Sequence, residues 1–257
     1  MEKVVEGKVM VKKYAVVRWT LFTSISAKHI LTCLGVFLIT CISTIFTSPS
    51  VTFLDRLISL FDGYRLSGFI FPEFLRYIIL RLTPIYLVAC SLSTSIGQDS
   101  YFRVRLYKCS VWKKSLEYVA LLIELLFLAL QFAVASLCYI VPNQSVCGVA
   151  CSCFSLTNLF LPICTFLEIY MATLLFFNVF FLSKNLLLSF ILIFFLYLIS
   201  SISNIPFYPF GLSTLGKIRY YSPDWTSWLL STIIVLFSMI LALHLLLKVS
   251  IKKFLLR

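Results

Sequence analysis

The sequence predicts an all-α integral membrane protein with six transmembrane helices and both termini cytoplasmic. Three observations carry this. Apolar residues make up 61% of the 257, charged residues only 12%, and the mean hydropathy is +1.01. Long runs carry no charged side chain: LLLSFILIFFLYLISSIS over 186–203, and a second run over 225–247. About 18 such residues are enough to cross a hydrocarbon core of roughly 30 Å as helix. The cations, finally, lie mostly between the runs, with a strong bias in how they alternate.

In order, the expected spans are about 29–47, 74–96, 115–141, 156–182, 186–203 and 225–247. The whole of 1–257 therefore reads as a single transmembrane domain, with no room for a sizeable soluble one. Residues 1–28 are basic and mixed. Val9, Val11, Val16, Val17, Trp19 and Leu21 interleave with Lys12, Lys13 and Arg18. That pattern suits an interfacial amphipathic helix with its cations toward anionic membrane lipid. No short apolar core with a small-residue cleavage site appears, so the first span is expected to be its own insertion signal.

Alternation can be tested on charge. The N-terminal segment, the segment between spans two and three, the link at Lys184 and the tail 248–257 together hold sixteen Lys and Arg. The opposite loops hold four: Arg56, Arg65, Lys217 and Arg219. Cytoplasmic loops carry the excess of cations, which places both ends inside. The net charge of +12 is then a consequence of topology and does not call for a nucleic-acid partner.

The outer loops differ. Residues 49–73 are slightly acidic. Residues 142–154 are uncharged and hold Cys147, Cys151 and Cys153 together with the sequon Asn143-Gln144-Ser145. Residues 204–224 are rich in turn formers, and their start, IPFYPFGL, is too apolar for a free loop. This segment is expected to dip back into the membrane surface or to pack on the bundle. The cysteine spacing does not suit structural zinc, and no histidine lies near it, so no metal site is expected. The stretch from Gly211 to Lys217 nearly copies a phosphate loop. It continues with Ile218 where magnesium needs Ser or Thr, and no strand precedes it.

Charges inside spans are the sharper signal. Arg81 lies in span two, Glu117 and Glu124 lie one heptad apart in span three, and Glu168 is near the middle of span four. Such charges cost a few kcal/mol on insertion scales and face the bundle or a water-filled path. Arg81 and Glu168 match in depth and are expected to pair. For Arg81, Glu124 and Glu168 a structural ion pair and a substrate path weigh equally. Glu117 is expected to be structural. His29 and His244 show no acidic partner in the sequence. No hydrolase constellation is visible, and an integral-membrane enzyme has the least support.

The segment QDSYFRVRLYKCSVWKKSL over 98–116 mixes five cations with aromatic residues. It suits a short amphipathic helix, either as a positive-inside loop with interfacial aromatics or as a dock for a cytosolic partner. With span two before it, FLRYIILRLTPIYLVACSLSTSIGQD, it resembles the permease subunits of type-2 ABC exporters of Gram-positive bacteria. There, a basic aromatic segment after span two ends near a Trp and a pair of cations. The matching residues are Arg103, Arg105, Tyr107, Lys108, Trp112, Lys113 and Lys114.

The resemblance implies that 98–116 contains a coupling helix seated on cytosolic ABC ATPase subunits, and that 204–224 forms short external helices. It further implies a second permease subunit, identical or paralogous, in a bacterial cytoplasmic membrane. ATP and magnesium would be bound by the separate ATPase, with no cofactor and no catalytic residue in this chain. The cargo would be a peptide, an antibiotic or a lipid-like molecule. A non-transporting immunity or sensor protein is the alternative reading.

Overall fold

A helix satisfies its own backbone hydrogen bonds, which is why long apolar runs settle as helices in lipid. The computed structural model describes residues 25–47, 70–97, 109–143, 156–203, 205–214 and 225–256. Among these there are six helices and no strand: α1 (Ala27–Thr47), α2 (Phe71–Gly97), α3 (Cys109–Asn143), α4 (Leu156–Ser183), α5 (Leu186–Ile202) and α6 (Trp225–Leu256). Five are long and apolar enough to cross a membrane, consistent with a multi-pass membrane protein. The sixth, α5, is apolar but has only 17 residues.

The helices outrun the expected spans in most places. α6 continues past Leu247 through Lys248, Lys252 and Lys253 to Leu256, so most of the expected tail is helix. Charge ends an apolar run without ending a helix, because lysine is a good helix former. α3 likewise begins at Cys109, ahead of the expected 115.

The helices run up and down. α4 turns into α5 through Lys184 and Asn185 alone. Lys184 adopts a left-handed φ of 58° and its N–H returns to Phe180 O at 2.7 Å. The Asn185 side chain then caps α5, accepting from Leu188 N at 3.1 Å. Asn closes the turn because its short carbonyl reaches the free amides of the first helical turn.

α4 is the central helix. It packs on α2, α3, α5 and, over the longest stretch, α6, whereas α1 rests mainly on α2 and α3. Its apolar window is 72% buried inside the protein, against 17% for that of α6. Between helices in lipid the driving force is close packing and polar bonding, not the hydrophobic effect. Aromatic seams supply the first: Phe176 meets Phe190 of α5 at 5.0 Å, Phe181 meets Phe254 of α6 at 5.3 Å, and Phe37 of α1 meets Phe127 of α3 edge-on at 4.6 Å. Asn178 supplies the second. Its Nδ2 donates to Leu243 O at 3.1 Å, and its Oδ1 accepts from Ser250 Oγ at 2.8 Å, which ties α4 to α6 twice.

The short α5 sets up the rest. It rises for roughly 24 Å at 1.5 Å per residue and stops level with Glu168, which lies about 22 Å from the same end of α4. Residues 205–214 then form turns at that level, beside the remaining length of α4. Phe210 to Thr214 are buried against the bundle, whereas Ile205 and Phe207, at the apolar start of the segment, are exposed. The described half of 204–224 is a series of turns, in contrast to the short helices that the resemblance implies.

Candidate functional site

Non-helical backbone deep in a helical bundle needs partners for its amides and carbonyls. Here the partners are charges buried in the bundle. Glu168 of α4 accepts from the backbone N–H of Ser213 at 2.9 Å through Oε2 and from the Tyr77 hydroxyl of α2 at 2.8 Å through Oε1. Arg81 of α2 donates from Nη2 to Ser213 Oγ at 3.0 Å and to Thr165 Oγ1 of α4 at 3.3 Å. Its guanidinium carbon sits 5.1 Å from the centre of the Tyr77 ring. Tyr197 of α5 packs edge-on to both Tyr77 and Phe210. Ser200 donates to the carbonyl of Phe210.

Arg81 and Glu168 thus belong to one group, as their matching depth predicts, but no direct salt bridge joins them. Tyr77 and Ser213 stand between. A phenol and a backbone amide spread the two charges over more bonds than one ion pair supplies. Arg81 Nε and Nη1 keep no hydrogen-bond partner. The Tyr197 hydroxyl lies near Glu168 without closing a bond to it.

Gly211 opens the tight turn here, with φ 74° and its carbonyl accepting from Thr214 N at 3.2 Å. A residue with a Cβ is strained at that φ. The near phosphate loop therefore has another use. The amide of Ser213 is spent on a carboxylate of the same chain, in a place where a phosphate would be repelled.

A second polar line runs along α3. Glu117, Glu124 and Gln131 follow at heptad spacing, and all three are buried. Glu124 accepts from Thr173 Oγ1 of α4 at 2.6 Å through Oε1, while its Oε2 and Gln131 Oε1 have no partner. Glu117 lies 2.8 Å from His244 Nδ1 of α6 and 3.8 Å from Lys113 Nζ. His244 therefore has the acidic partner that the sequence did not disclose. The two residues are far apart in the chain and meet only because α3 packs on α6.

Of the residues assigned to coupling by resemblance, Arg103, Arg105, Tyr107 and Lys108 lie outside the described residues, as does the side chain of Trp112. Lys114 is exposed. Lys113 is turned into the bundle, where Nζ donates to His244 O at 2.7 Å. The proposed interfacial helix of the N-terminal segment and the cysteines Cys147, Cys151 and Cys153 lie outside the described residues too. Cys33 and Cys164 are buried free thiols, and no cluster of metal-ligating side chains occurs among the described residues.

Sequence reasoning located Arg81, Glu124 and Glu168. It missed Tyr77, Thr165, Thr173, Tyr197 and Ser213, the neutral groups that bond or border them. A usable signal existed for some: Tyr77 precedes Arg81 by one helical turn, and Thr165 precedes Glu168 by three residues, so each pair shares a helix face. Ser213 had none beyond its place in an apolar, turn-rich segment. No family model matches the chain, and neither a curated protein nor a solved structure matches it.

Proposed function

We propose that the chain is the membrane-spanning permease subunit of an ATP-driven exporter in a bacterial cytoplasmic membrane. In this reading six spans cross the bilayer, α5 with 205–214 completing the fifth, and both termini face the cytoplasm. A separate ATPase binds the basic segment 98–116, and a second permease subunit completes the path. The cargo is a peptide, an antibiotic or a lipid-like molecule.

One observation carries the reading: a buried Arg–Glu group built around irregular backbone at the tip of a short span. Transporters use broken spans near mid-membrane because unwound backbone and helix ends can handle polar cargo or ions there. A protein that merely fills the bilayer has no need to bury such charge. The sixteen-to-four division of cations supports the topology.

The test is co-purification. The full chain, extracted from its own membranes, is expected to bring an ATP-hydrolysing subunit, and Trp112→Ala with Lys114→Ala is expected to release it. Lys113 is left intact because it braces α3 on α6. A chain that purifies alone under conditions that keep it folded overturns the reading. A second reading, a non-transporting immunity or sensor protein, draws on the fact that both oxygens of Glu168 are bonded, as in a static brace. It predicts function that persists without any ATPase.

A further inference from the structure

Two carboxyls are sealed inside the bundle, and they are held in opposite ways. Glu168 is 0% exposed. Each of its oxygens accepts a hydrogen bond, from Tyr77 and from the Ser213 amide, and Arg81 belongs to the same group. That set suits an ionised carboxylate. Glu124 is 1% exposed and has one bonding contact, Thr173 Oγ1 at 2.6 Å from Oε1. Its Oε2 has no hydrogen-bond partner, and no Lys, Arg or His pairs with it among the described residues.

Proton counting separates the two further. The Thr173 hydroxyl lies 2.6 Å from Glu124 Oε1 and 3.0 Å from Ile169 O, one turn back in α4. A hydroxyl has one proton and cannot fully serve both contacts. A proton on Glu124 Oε1 serves both. The acid O–H then donates to Thr173 Oγ1, and Thr173 donates to Ile169 O. Oε2 becomes the carbonyl oxygen of a neutral acid, which is far cheaper to leave unbonded than half of a carboxylate. The helix neighbours Ala120, Ile123, Phe127, Ile169 and Ala172 are apolar and buried. In such surroundings a carboxylate without a cation is so costly that the group takes up a proton instead.

We propose that Glu124 and Thr173 form a proton-binding site on the seam between α3 and α4, with Glu124 holding one proton while the two helices are packed. The proton comes from water and bonds to Oε1. When the helices part, water reaches the carboxyl, the O–H bond breaks and the proton returns to water. No electron moves and no other reactant is consumed. The carboxyl thus latches the seam: packing α3 on α4 takes up a proton, and separating them releases it. The ionisable groups on the surrounding helices do not supply a counter-charge. On α3, Glu117 lies about two turns away and has His244 of α6 at 2.8 Å and Lys113 at 3.8 Å. α4 and α5 bring the phenols of Tyr170 and Tyr197. Arg81 of α2 is spent on Thr165 and Ser213. α1 has only the thiols Cys33 and Cys41 along its buried face. The inference needs neither an ATPase nor a second subunit, so it stands apart from the exporter reading.

The test is infrared spectroscopy of the purified full chain at neutral pH. A protonated carboxyl shows a C=O stretch well above the two stretches of a carboxylate. Glu124→Gln keeps the side-chain shape, and its amide N–H can donate to Thr173 as the acid O–H does. It is expected to remove an acid band and leave the carboxylate bands intact, whereas Glu168→Gln is expected to do the reverse. Thr173→Val gives a second reading that does not depend on the Gln variant folding. The acid band is expected to persist and to move to higher frequency, because the O–H loses its acceptor. The proton released on unfolding gives a third. The wild-type unfolding midpoint in detergent is expected to fall more steeply than that of Glu124→Gln as pH rises from about 6 to about 8, since the folded state binds the extra proton. A Glu124→Gln spectrum that loses carboxylate bands in place of an acid band overturns the proposal. So does a Thr173→Val spectrum in which no acid band moves.

Discussion

The Arg81–Glu168 group and the Lys113–Glu117–His244 group hold similar charges under different conditions. The first sits level with the end of α5, its two charged residues 2% and 0% exposed, and it draws on three helices and the turns of 205–214. The second lies toward the Lys184 end, spans only α3 and α6, and leaves His244 42% exposed. Deep in the bundle the charges are separated by neutral donors that share the load. Nearer the end, where His244 is partly exposed, they touch directly, because solvent does part of the neutralising. The comparison teaches that depth decides the form of a charged contact, since desolvation grows faster with burial than one ion pair can offset.

The sharpest way to break the comparison is Arg81→Met. It leaves the Glu168 carboxylate uncompensated in the interior, and removing one partner of a buried charged group costs about 3–5 kcal/mol. The loss is expected as a large drop in the unfolding midpoint in detergent. Adding Glu168→Gln is expected to restore part of it, because the remaining amide is neutral. If the double variant is as unstable as the single one, charge compensation is not what holds this region.

Next comes the backbone donor. Ser213→Pro removes the N–H that Glu168 accepts, and an unmade bond to a buried charged group costs about 1.5–3 kcal/mol. Ser213→Ala keeps that N–H and loses only the hydroxyl bond to Arg81, with an expected cost of about 1 kcal/mol. Limited proteolysis within 205–214 is the specific readout. It is expected to rise strongly for Ser213→Pro and little for Ser213→Ala.

This ordering also marks what the sequence discloses. The helices, the buried face of Glu117 and Glu124, and the irregular apolar segment after α5 are legible because each rests on local spacing. The depth match of Arg81 and Glu168 is legible too, from counting residues along two spans. The intervening groups are not. Ser213 reaches Glu168 only because α5 ends short and the chain turns inward, and His244 reaches Glu117 only because α6 crosses α3. Those are tertiary events between residues more than forty positions apart, and no local period encodes them. The extension of α6 beyond Leu247 escapes for another reason. Lys248 looks like the end of a span, but a charged residue does not end a helix, and α6 runs on past it to Leu256.

The smallest expected effect completes the comparison at its shallow end. His244→Ala removes the direct contact to Glu117 but leaves the Lys113 bond to the backbone carbonyl at position 244, which any residue there supplies. Glu117 keeps Lys113 beside it. Partly exposed pairs of this sort contribute about 0–1 kcal/mol, so the unfolding midpoint is expected to move only slightly. If His244→Ala proves as damaging as Arg81→Met, the two groups share one environment, and the gradient of burial from the end of the bundle to the tip of α5 does not govern how these charges are held.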